Sequence, residues 1–138
     1  MGIRLSYRKK GIENGEACLG KLFAYFDRYA DANDCKCIAY LIEVGALTKL
    51  FEDFECELYD TDCTDAEKFA FICDICRYQD YGEFFELTKS QSRKFIELYA
   101  EDHARFWGHS VWDMQEFYDF LDKYSSSENS IFEFRLGA

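Results

Sequence analysis

Two four-residue segments constrain this chain more than its composition does. Thr64-Asp65-Ala66-Glu67 and Thr88-Lys89-Ser90-Gln91 each set a hydroxyl three residues ahead of a Glu or Gln. In this arrangement the hydroxyl accepts the backbone N–H three residues on, and the longer side chain reaches back to the first residue's own N–H. Two donors of the first helical turn, otherwise unpaired, are thereby satisfied. Each segment therefore predicts a helix start. Behind the first, Phe69, Ile72, Cys73 and Cys76 form an apolar stripe; behind the second, Phe95, Leu98, Tyr99 and Phe106 do the same.

Other elements follow from periodicity. Ile3 to Tyr7 alternates apolar and polar residues, as a half-buried strand does. Leu19, Leu22, Phe23, Phe26, Tyr29 and Ala30 predict a first helix over Glu16 to Ala30, capped by Asn14. In Cys35 to Val44, Ile38, Leu41 and Ile42 suit a helix, although the run is also short and apolar enough for a buried strand. Helix is the preferred reading, with a second short piece from Ala46 to Phe51 after Gly45. Phe54 to Tyr59 alternates and predicts a strand, as does Gly82 to Leu87. A last helix, Trp112 to Tyr124, turns Met114, Phe117, Leu121 and Tyr124 inward. The loop Ser125 to Ser130 then leads into a closing strand, Ile131 to Leu136.

Neither an internal repeat nor a linker-like stretch divides the chain, and 138 residues suit one domain, 1–138. With 49% hydrophobic and 19% aromatic residues there is material for a core. The expected class is α+β: a small antiparallel or mixed sheet of about four short strands with about five helices packed against it.

Charge narrows the function classes. Against 16 basic residues stand 27 acidic ones, a formal charge of -11. A field of that sign repels phosphate backbones and anionic lipid, so direct nucleic-acid and membrane binding are not expected. It favours encounter with basic surfaces. No apolar stretch of signal-peptide length follows the basic N-terminal residues, and no run approaches a bilayer span. The myristoylation pattern is met only formally, by Gly2 and Ser6. Seven cysteines without a secretory signal indicate free thiols in a reducing compartment, hence the cytoplasm.

The densest acidic stretch holds Glu52, Asp53, Glu55, Glu57, Asp60 and Asp62, with no basic residue between Lys49 and Lys68. On a strand, Glu55 and Glu57 share a face about 6–7 Å apart, close to the spacing of successive phosphates on a nucleic-acid strand. A second row, Asp113, Glu116, Asp119 and Asp122, recurs every three residues on the last helix. Together these ten residues are the candidate partner-binding set. The plainer alternative is a solvated helix face and a charged loop.

Other chemistries are weaker. The acidic loop lacks the spacing of an EF-hand. Cys35, Cys37, Cys73 and Cys76 supply enough thiolates for a structural zinc site, but Cys73 and Cys76 sit late in an apolar helix, where cysteine acts as a small hydrophobe. The two histidines, His103 and His109, occur outside any catalytic motif, and no P-loop or dinucleotide fingerprint is present. His109 lies in a turn flanked by Trp107 and Trp112, and Tyr78, Tyr81, Phe84 and Phe85 form a local aromatic group. Arg4, Arg8, Lys9 and Lys10 run against the global charge and suggest either an anion seat or pairing with a second copy in a homo-oligomer.

The expectation is thus a non-enzymatic, cofactor-free acidic inhibitor that binds a basic, nucleic-acid-binding protein. Phage-encoded anti-defence proteins, such as anti-CRISPR or anti-restriction inhibitors, have this profile of size, charge and cytosolic cysteines. Immunity proteins that neutralise nuclease toxins share it. The alternatives are a module that binds or sequesters a nucleotide-like small molecule, and a zinc-stabilised structural subunit.

Overall fold

The computed structural model describes residues 4–12, 17–18, 32–59, 62–76, 84–107 and 114–137. Among the described residues there are four strands: β1 (Arg4–Lys9), β2 (Ala17–Cys18), β3 (Phe84–Thr88) and β4 (Ile131–Gly137). Between them lie α1 (Lys36–Glu43), α2 (Thr48–Asp53), α3 (Glu55–Leu58), α4 (Asp65–Cys76), α5 (Lys89–Trp107) and α6 (Met114–Tyr124). The strands form one antiparallel sheet in the order β2-β1-β4-β3. This is a small α+β domain, an antiparallel sheet packed against several helices. Among the described residues no helix is long and apolar enough to cross a membrane.

The alternation of side chains divides the sheet into two faces. Leu5 and Tyr7 of β1, Phe132, Phe134 and Leu136 of β4, and Phe85 and Leu87 of β3 are buried on one face. There Tyr7 meets Phe117 and Phe120 of α6 edge-on, each at 4.8 Å between ring centroids. Phe134 stacks on Phe85 at 5.5 Å and takes Phe95 of α5 edge-on at 5.9 Å. Offset and edge-on contacts of this kind add about 0.5–1.5 kcal/mol each beyond the area they bury. The opposite face carries Arg8, Glu133, Glu86, Arg135 and Phe84, joined by the register Arg8↔Glu133↔Glu86.

Both capping segments start helices. Thr88 and Gln91 satisfy each other's backbone N–H, at 3.1 and 3.0 Å. Thr64 Oγ1 accepts the Glu67 N–H at 3.2 Å. The stripe Phe69, Ile72, Cys73 and Cys76 is buried, as are Phe95 and Tyr99 of α5 and Phe117 and Leu121 of α6.

Two expectations are corrected. Phe54 to Tyr59 is not a strand, since Glu55–Leu58 forms a single helical turn. Phe54 and Leu58 are four residues apart, and the Leu58 N–H bonds to the Phe54 carbonyl at 3.0 Å, so helical spacing is the period that matters there. Ala17 and Cys18, expected in the first helix, pair instead with Tyr7 and Ser6 of β1. An unsatisfied edge of β1 offers backbone partners that local helical period cannot register. The remainder of that expected helix, Tyr78, Tyr81, the turn from Gly108 to Trp112, and the acids Asp60 and Asp113 lie outside the described residues.

Candidate functional site

Phe54 is the joint of the acidic surface. It is buried, its N–H bonds to the Leu50 carbonyl at 3.1 Å, and α3 starts immediately after it. With Leu50 and Phe54 turned inward, Glu52 and Asp53 at the end of α2 are exposed, and so are Glu55 and Glu57 on α3 and Asp62 beyond it. None of these five carboxylates has an ion-pair or hydrogen-bond partner among the described residues. Because Glu55 and Glu57 lie two apart on a helical turn, they point in different directions. The phosphate-like strand spacing expected of them is therefore absent, and what remains is a dense, uncompensated field.

Tyr59 stands within this surface and was not singled out by the sequence. It follows α3 directly and is 84% exposed, whereas Ile12, the other large exposed hydrophobic residue of the described chain, is at 37%. The sequence signal for it is the spacing of Phe54 and Leu58: once these two take the inward positions of a turn, Tyr59 is left between acids.

The second acidic row is different in character. Glu116, Asp119 and Asp122 are exposed on α6. Asp122, however, pairs with Lys89 at 3.0 Å and lies 3.7 Å from Arg93, and Asp119 accepts a hydrogen bond from Gln115 at 2.9 Å. Lys89 is itself buried, and its ammonium also donates to the Ser125 carbonyl at 2.6 Å. Asp122 thus works largely within the fold, tying α6 to the start of α5. The two rows sit on elements with different neighbours, α2 lying against β3 and α6 against α5 and Tyr7.

Two of the N-terminal cations, Arg8 and Lys10, are engaged on the face of the sheet opposite Leu5 and Tyr7. Arg8 donates to Glu133 at 3.1 Å and its guanidinium lies 3.9 Å from the Phe84 ring centroid; Arg135 lies 5.1 Å from the same ring. Lys10 donates to Glu86 at 2.8 Å, and this bond raises the ammonium pKa. No family model matches this sequence, and no curated protein or solved structure matches it.

The four cysteines of the zinc alternative lie in the core. Cys35, Cys37, Cys73 and Cys76 are all buried and unbridged. Burial pushes the Cys37 and Cys73 thiols well above the ordinary range and Cys76 up to about 12. Among the described residues no group of three or more His, Cys, Asp or Glu side chains is placed to hold a metal ion, and the four cysteines of the zinc alternative form none.

One concavity adjoins the acidic surface. A cleft of about 540 Å³ opens between the α1–α2 turn and β3. Ala46, Lys49 and Glu52 form one wall and Phe84, Glu86 and Glu133 the other, so that Glu52 belongs both to this cleft and to the acidic surface.

Proposed function

We propose that this protein is a non-enzymatic acidic inhibitor that docks its α2–α3 surface on a basic, nucleic-acid-binding protein. The observation that carries this reading is the set of five exposed carboxylates, Glu52, Asp53, Glu55, Glu57 and Asp62, left without a cation among the described residues. Several acids elsewhere are used internally: Glu133 and Glu86 hold Arg8 and Lys10, Glu128 holds Arg93, and Asp102 lies beside Arg105. Exposed like charges without ion-pair partners contribute little to the fold, and they raise the rate of encounter with a surface of opposite sign. Tyr59 adds an aromatic anchor of the type enriched at interface hot spots.

The mode of recognition is a charged field and an aromatic, not a copy of phosphate spacing. Partners of this chemistry include nucleic-acid-guided or restriction effectors and nuclease toxins. Unbridged thiols at Cys37, Cys56, Cys63, Cys73 and Cys76 suit action in the reducing cytoplasm.

The test uses the intact chain and a variant carrying Glu52→Gln, Asp53→Asn, Glu55→Gln and Glu57→Gln. Each is immobilised and exposed to nuclease-treated bacterial lysate at low and high salt. The native chain is expected to retain a nucleic-acid-binding protein that high salt releases and the variant fails to hold, with association slowed at least about tenfold. Equal retention by both chains would show that these carboxylates are not the docking surface.

A further inference from the structure

We draw no further inference here: the strongest candidate, the outer edge of β3 at the end of the sheet order β2-β1-β4-β3, has nothing in the structure to show what pairs with it.

Discussion

The carboxylate of Asp102, on α5, caps the N-terminus of α1: it accepts the backbone N–H of Cys37 at 2.9 Å and that of Lys36 at 3.1 Å. Cys35, at the N-cap of α1, makes no side-chain capping bond, so the cap comes from a residue more than sixty positions away. Asp102 is 1% exposed, and Arg105 lies 3.3 Å from the same carboxylate. One acid thus supplies acceptors to α1 and places negative charge at the positive end of its dipole.

Asp102→Ala leaves buried N–H groups without acceptors and is expected to cost about 3 kcal/mol of stability. Asp102→Asn keeps one carbonyl oxygen and should cost less. Urea unfolding of the three chains would check the order; equal midpoints would mean that water replaces the carboxylate without penalty.

At its other end, α1 closes in a Schellman motif. The Ala46 N–H bonds to the Leu41 carbonyl at 3.0 Å and the Gly45 N–H to the Ile42 carbonyl at 3.1 Å, with Gly45 at φ +73°. A Cβ at Gly45 would meet nothing within 4 Å, so its cost there is conformational and not steric crowding by neighbours. Gly45→Ala is expected to destabilise by about 1 kcal/mol, measured as a lowered Tm, with Gly45→Asn milder because Asn tolerates the left-handed region better.

The two capping segments differ in completeness. Thr88 and Gln91 satisfy each other in both directions, in a partly buried setting, whereas the Thr64 hydroxyl accepts from Glu67 and donates to Asn33 at an exposed site. Thr88→Ala should therefore cost about 2 kcal/mol and Thr64→Ala about half of that. Chemical denaturation of the two variants would compare them directly.

Thiol reactivity should divide the cysteines sharply. Cys56 is exposed and Cys63 half-buried, so both should be alkylated by iodoacetamide at pH 8, while Cys37, Cys73 and Cys76 resist until the chain unfolds. Peptide mass spectrometry after a short pulse would read this.

The same burial predicts alkaline instability. A thiol held up at about 12 in the fold loses its proton near 9 in the unfolded chain, so above pH 9 the unfolded state binds fewer protons. Stability from Cys76 is then fully present below pH 9 and declines by about 1.4 kcal/mol per pH unit until about pH 12. Cys37 and Cys73 act in the same direction. Cys76→Ala, although less stable at pH 7, should show a shallower loss between pH 9 and 11 in urea titrations.

What the sequence revealed follows from how local each signal is. The start of α5 is written in four consecutive residues, Thr88 to Gln91, and the alternation of β4 leaves Phe132, Phe134 and Leu136 on one side as expected. Phe54 to Tyr59 misleads because a short segment with apolar residues at 54, 56 and 58 satisfies two periods at once. Cys56 is exposed in the fold, which leaves the four-residue spacing of Phe54 and Leu58 as the true pattern. The Asp102 cap was illegible for another reason, since nothing near Lys36 signals a carboxylate arriving from α5. Of the candidate surface, the acids of α2 and α3 were legible as charge. Their lack of internal partners, the exposure of Tyr59 and the cleft beside Glu52 depend on which distant segments pack together.

The central strands of the sheet, β1 and β4, come from opposite ends of the described chain, with Arg4 opposite Gly137. On the ribosome, Leu5 and Tyr7 emerge early and have no β4 to pair with until residue 137 has been made. At about 5–20 residues per second, that interval is on the order of ten seconds. Until then β3 has no neighbour in the sheet, because β4 is the strand that separates it from β1. The nascent chain must therefore hold the β1 segment unpaired while it waits, and once the acids of residues 52–67 have been added the growing chain is net negative, which opposes its self-association.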